Sequence, residues 1–162
     1  MQINEEQSRI LTRHITEQEV YEAMKRINYL TAPGVDGFGM KFFKAAWPVV
    51  RKDIMDAVQY FFNKERLYKA VNNIIVTLIA KFTDACMIMD FGPISCCTNV
   101  YKMISKIMDR ILSKVLCSII HMSQAAFVPG QHLHDHVMLA YELIRGYSTK
   151  GEAPRCMLLV DL

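Results

Sequence analysis

No apolar run in this chain is long enough to cross a membrane. The longest, Ile74–Ala80, is interrupted by Thr77. The opening residues Met1-Gln2-Ile3-Asn4-Glu5-Glu6 have neither the basic nor the apolar region of a signal peptide. An intracellular protein, nuclear or cytoplasmic, is therefore expected. Cysteine is sparse and badly spaced for chemistry. The five residues Cys86, Cys96, Cys97, Cys117 and Cys156 are odd in number and form no C-x-x-C pair, which argues against both a disulfide framework and a zinc knuckle. Adjacent Cys96 and Cys97 cannot easily join each other, so reduced, buried thiols are expected. Charge is modest, at 22% of residues with a net +3; it permits a polyanionic partner without requiring one. There is no internal repeat and no low-complexity tract. What remains is apolar, 52% of 162 residues, enough for one domain with a real core and contrary to disorder.

The pattern along the chain is helix-rich α+β. Thr16-Glu17-Gln18-Glu19 is a capping box. Val20, Ala23, Met24 and Ile27 follow at helical spacing, and that helix is expected to end near residues 28–30, before Pro33-Gly34. Gly34, Asp36, Gly37 and Gly39 make a turn-rich loop. Residues 41–46 are a short helical stretch, and Pro48 fits the first turn of the next helix. Val49, Met55, Val58, Phe61 and Phe62 are that helix's expected apolar face. Residues 73–81 are rich in β-branched side chains and read as a strand, while 82–92 read as irregular. The longest helix is expected over 100–120, burying Met103, Ile104, Ile107 and Ile111, with Leu112, Val115 and Ile119 extending the stripe. Phe127-Val128-Pro129-Gly130 reads as a short strand and turn. Residues 135–147 read as a further amphipathic helix, with Val137, Leu139, Ala140, Leu143 and Ile144 inward.

Three constellations bear on chemistry. Met157-Leu158-Leu159-Val160-Asp161-Leu162 reads as an apolar strand with a carboxylate at its tip, a common way to hold a catalytic metal. A lone carboxylate cannot hold the metal pair that nucleotidyl transfer uses, because such sites need several oxygen ligands around both ions. The sequence builds toward a catalytic centre and ends before completing it, so the chain alone is expected to be inert. Lys102, Lys106, Arg110 and Lys114 are spaced by four on the long helix. Each step drifts by roughly 40°, which makes a slowly spiralling basic ridge. It reads either as the wet face of an amphipathic helix or as a track for phosphates. The scarcity of acids, with Asp109 alone over residues 99–122, favours nucleic acid. His132, His134 and His136 beside Asp135 invite a metal reading: on a strand all three share a face, on a helix His132 and His136 do.

Four blocks, in order, resemble the reverse transcriptase of LINE-type (non-LTR) retrotransposons, especially the plant kind. The first is Ala32-Pro33-Gly34-Val35-Asp36-Gly37-Phe38 with Phe42-Phe43-Lys44 and Trp47 behind it. The second is Leu78-Ile79-Ala80-Lys81, then Phe91-Gly92-Pro93-Ile94-Ser95, continuing into Tyr101-Lys102-Met103-Ile104-Ser105-Lys106. The third is Gln124-Ala125-Ala126-Phe127-Val128-Pro129-Gly130-Gln131, and the fourth Val160-Asp161-Leu162, similar to the start of motif A. The resemblance implies a truncated right-hand polymerase fold, with fingers over about residues 16–155 and the first palm strand over 156–162. It implies RNA-directed DNA synthesis from an RNA template and DNA primer, with deoxynucleoside triphosphates as substrates and Mg²⁺ as cofactor. In that scheme Asp161 is catalytic as a metal ligand, Lys81 holds the nucleotide triphosphate, and Lys102, Lys106, Arg110 and Lys114 guide nucleic acid. The family's later aspartate pair is not in this chain. The family also carries a His-Asp pair like His134-Asp135 at an ordinary helix start.

Four positions depart from the family's pattern. Gly92 stands where the family has an arginine, Gln131 where it usually has arginine, Thr31 where it has lysine, and Val35 where it has proline. Three of these changes remove a cation, as in a decayed copy or a divergent lineage. Two other readings stand beside the polymerase: a nucleic-acid-binding fragment without chemistry, and a gene relic. An unpaired apolar final strand predicts poor solubility.

Overall fold

Asn4 and Thr16 start the first two helices by the same device. In each, the side chain accepts from the backbone N–H three residues on, and that third residue's side chain accepts from the cap's own N–H: Gln7 for Asn4, Glu19 for Thr16. These open α1 (Glu5–Thr12) and α2 (Glu17–Arg26) in a computed structural model that describes residues 3–120, 130 and 132–145. There follow α3 (Met40–Ala45), α4 (Trp47–Lys64), β1 (Ile74–Ala80), a single 3₁₀ turn (Ile88–Asp90), β2 (Phe91–Cys97), α5 (Asn99–Ile119) and α6 (Leu133–Arg145). The fold is helix-rich α+β, and its one described sheet is a two-stranded antiparallel ribbon. Residues 4–112 form one compact unit, and the described residues from 113 onward belong, with Ile3, to a second. Among the described residues no helix is long and apolar enough to cross a membrane.

The core of the first unit is helical. Val20, Ala23 and Met24 of α2 pack with Met40 and Phe43 of α3, Ile54 and Val58 of α4, and Met103, Ile104, Ile107 and Ile111 of α5. Met24, Met40 and Met103 are fully buried, the flexible thioethers filling gaps between helices. Tyr21 meets Trp47 at 5.3 Å between ring centroids, which joins α2 to the start of α4.

Several expectations are corrected. The helix begun by Thr16 stops at Arg26, short of residues 28–30. Its last carbonyls are capped from a distance: Lys44 Nζ donates to Lys25 O at 3.1 Å and Ile27 O at 2.7 Å. Val49 is 81% exposed rather than inward, because Ile54 and Val58 carry the buried stripe of α4. Residues 82–92 are not irregular throughout, since β2 begins at Phe91 and pairs with all of β1. Leu112 is exposed, and Val137, Leu139 and Ile144 of α6 are exposed rather than inward. Cys86 is exposed and Cys96 and Cys97 are half-buried, all three free, so they are not core thiols. The helix α1 is an addition to the expected elements; it carries no fully buried residue and packs on the core through half-buried Leu11.

The loop of residues 31–39 and the start of α5 hold each other. The α-carbon of Gly34 lies so close to the chain between β2 and α5 that an added Cβ would meet Thr98 N at 2.5 Å, Thr98 Cα at 2.6 Å and Cys97 C at 2.8 Å. All three are backbone atoms, so neither side has a side chain that can move away. Asn99, fully buried, donates from Nδ2 to Phe38 O at 2.5 Å, and Lys102 Nζ donates to Ala32 O at 2.6 Å. Gly37, at φ 72°, closes the turn through the left-handed region that glycine reaches without steric cost.

Two outcomes follow for stability. Gly34→Ala is expected to lower the urea midpoint by an amount equivalent to about 2 kcal/mol, the cost of overpacking against backbone, whereas an unchanged midpoint would contradict the close approach. The second concerns Glu19, which receives a two-armed hydrogen bond from Arg13. That bond chiefly, with help from Thr16, holds the Glu19 carboxyl down from 4.5 to about 2. A carboxyl depressed in the folded state contributes stability that is fully present above 4.5 and is lost as pH falls toward 2. Glu19→Gln, which can still cap, is expected to lose roughly 1–2 kcal/mol at neutral pH and to flatten the acid limb of the stability curve. An acid limb identical to the wild type would remove the pair from this role.

Candidate nucleic-acid interface

The helix α5 carries the predicted basic ridge, and its buried stripe of Met103, Ile104, Ile107 and Ile111 is as expected from the 3.6-residue period. Three of the four cations, however, have protein partners. Lys102 is tied to Ala32 O. Lys106 Nζ pairs with Asp109 Oδ2 at 3.1 Å, one turn along the same helix. Arg110 reaches across to Glu22 of α2. The Glu22 carboxyl lies below its usual range, first through the side-chain hydrogen bond from Gln18 and then through Arg110. Lys114 is exposed. Lys102 and Arg110 therefore bind the fold together as well as contributing charge.

The fold assembles a site that the helical ridge alone does not describe. An open groove of about 630 Å³ lies between the C-terminal end of α2 and α5. Lys102 and Lys106 line it from one side, and Arg26, in the last turn of α2, from the other. Buried Ile27 and half-buried Cys97 and Tyr101 supply apolar lining between these cations. No sequence signal marks Arg26 for this place: it is one basic residue in a helix's last turn, and only tertiary packing brings it opposite α5.

Lys81 sits at the tip of the ribbon, where its N–H donates to Asp90 O at 2.9 Å and continues the ladder past Ala80↔Phe91. Residues 81 and 90 are thus opposite each other, and residue 92, two further on, shares their face of the ribbon. The Lys81 ammonium donates to Met89 O at 2.9 Å and is exposed. A Cβ at Gly92 would find only Ile79 O, at 3.9 Å, so nothing in the backbone demands glycine there. His132 and His134 are exposed at the start of α6, and among the described residues no three His, Cys, Asp or Glu side chains gather as a metal site. Asp161 and Gln131 lie outside the described residues.

No family model matches the chain. The chain is 28% identical over 142 residues to the transposon TX1 uncharacterized 149 kDa protein of Xenopus laevis. It is related to a transposon-encoded protein. The similarity covers 88% of this chain but only 11% of the relative, so the chain spans about a tenth of that protein's length.

In this transposon-related chain, the two roles of the ridge separate by mutation. Lys102→Met keeps the aliphatic stem and removes the tether to Ala32 O, and is expected to cost about 1 kcal/mol in denaturant unfolding. Lys114→Met is expected to stay within about 0.5 kcal/mol of wild type. Equal stability of the two variants would mean that the Lys102 tether contributes nothing.

Proposed function

We propose that this chain is the N-terminal part of a reverse transcriptase domain of a non-LTR, LINE-type retrotransposon, with fingers over residues 16–155 and the first palm strand over 156–162 of a right-hand polymerase fold. The observation that carries this reading is the ribbon register, in which exposed Lys81 and half-buried position 92 are diagonal neighbours on one face. Two cations so disposed would grip a triphosphate from two directions, as a lysine and an arginine do in the resembled family. The four sequence blocks in order and the transposon-encoded relative support it. So does the exposure of every β1 residue, since an isolated apolar ribbon suits part of a larger domain.

The parent reaction would be RNA-directed DNA synthesis on an RNA template and DNA primer. Mg²⁺ would neutralise the triphosphate and the attacking primer oxygen, with Asp161 as one of its ligands. The described residues do not complete such a site, and the further aspartates that the family uses are not among these 162 residues. The roles left to this chain are binding ones: Lys81 on phosphate, and Lys102, Lys106, Arg110 and Lys114 on nucleic acid. A nucleic-acid-binding fragment without chemistry is the second reading, favoured by the cationic groove.

The test restores the missing cation. Gly92→Arg is expected to fold with wild-type stability, because the position has room. It should bind Mg²⁺–deoxynucleoside triphosphate roughly ten-fold more tightly in a fluorescent-nucleotide titration, and Lys81→Ala should abolish that gain. A folded Gly92→Arg protein with unchanged triphosphate affinity would overturn the polymerase reading.

A further inference from the structure

We propose that the groove between α2 and α5 seats one nucleotide of a single-stranded nucleic acid, the base against Ile27, Cys97 and Tyr101 and the phosphate against Arg26, Lys102 and Lys106. The inference rests on the nucleic-acid reading above and concerns a place distinct from the ribbon tip and from Lys114. Size permits it: about 630 Å³ falls within the roughly 300–1,000 Å³ of ordinary small-ligand sites. Charge favours an anion, with three cations facing a single carboxylate, Asp109. Donor capacity remains, because an ammonium has three N–H groups. Lys102 spends one on Ala32 O and Lys106 one on Asp109. Arg26 is exposed, and its charge also acts on the Glu22 carboxylate one turn earlier on α2, but its planar fork can present further N–H groups to phosphate oxygens.

The apolar lining decides between strand types. A duplex keeps its base faces stacked inside, so it would offer phosphates to the cations and nothing to the apolar surface. A single strand offers both an anionic backbone and a flat apolar ring for Tyr101. The mixed lining therefore fits an unpaired nucleotide better than a simple anion. An acidic peptide would satisfy the cations but has no flat ring to match the tyrosine.

The test uses the whole chain and an oligothymidylate of about five nucleotides. In ¹⁵N spectra at low salt, the amides around residues 26–28 and 101–106 are expected to shift. By fluorescence anisotropy, Arg26→Gln and Tyr101→Leu are each expected to weaken binding about five-fold, with Lys52→Gln, an exposed cation on α4 away from the groove, near wild type. Arg26→Gln removes no described bond, and unchanged unfolding would certify its fold. If Lys114→Gln weakens binding and Arg26→Gln does not, the groove is wrong while nucleic-acid binding stands. If duplex DNA of equal length competes as well as the single strand, base seating is wrong. Tighter binding of an oligoglutamate would likewise overturn the proposal. Absence of any binding at low salt would end both this inference and the nucleic-acid reading.

Discussion

The first unit depends on one close approach: the backbone of Gly34 against the backbone of Thr98 at the entrance to α5. Two main chains at that distance leave no room for a β-carbon, so the loop can be built only around glycine there. Asn99 and Lys102 then convert proximity into a joint, each donating to a loop carbonyl, Phe38 O and Ala32 O. Thr98 fastens a third segment by donating to Val71 O at 2.9 Å. The Ala-Pro-Gly-Val-Asp-Gly-Phe block and the Tyr-Lys-Met-Ile-Ser-Lys block, far apart in sequence, thus form one structural unit. Asn99 Oδ1 meets no hydrogen-bond partner among the described residues in this buried joint, an orphaned acceptor of the kind that an ordered water usually satisfies.

The same joint explains how charge is used. A helix that must be anchored by Lys102 and tied to α2 by Arg110 cannot offer those cations to a ligand unencumbered. A surface ion pair is weak and readily exchanged, so Lys106, paired among the described residues with its neighbour Asp109, is the more available charge. Arg110 ties α5 to α2 and Lys102 ties it to the loop at Ala32, and the groove that Arg26 also lines opens beside these contacts. Anchoring residues and candidate binding residues are therefore not separate sets on this helix.

The ribbon is the opposite case, apolar yet outside the core. Ile75, Val76, Leu78 and Ile79 are exposed, as are Met87, Ile88 and Met89 near its tip. Helices, with Ile15 and Ile27 beside them, supply the described core cluster and no strand residue enters it, so the ribbon contributes position rather than packing: it sets Lys81 and residue 92 on one face. Exposed apolar surface of this kind is characteristic of a surface that meets other protein.

Much of the fold was legible residue by residue. Thr16 and Glu19 announce α2 because a capping box is a local device whose partners are three residues apart. The α5 stripe is legible because burial every three or four residues leaves a periodic trace. β2 was missed because Gly92, Pro93, Ser95 and two cysteines dilute its β-character; pairing with β1, not propensity, makes it a strand. Val49 was misplaced because a helical wheel gives the width of an apolar face but not which neighbour turns up to cover it. The sequence by itself determined the start of α2, the apolar stripe of α5 and the spacing of the basic ridge, since each depends on neighbours within a turn or two. Only the tertiary structure decided that Lys102 and Arg110 are tied inward, that Arg26 joins Lys106 across a groove, and that residue 92 stands beside Lys81. Those facts depend on which distant segments meet, as the Gly34 loop does with Thr98 and α2 does with α5.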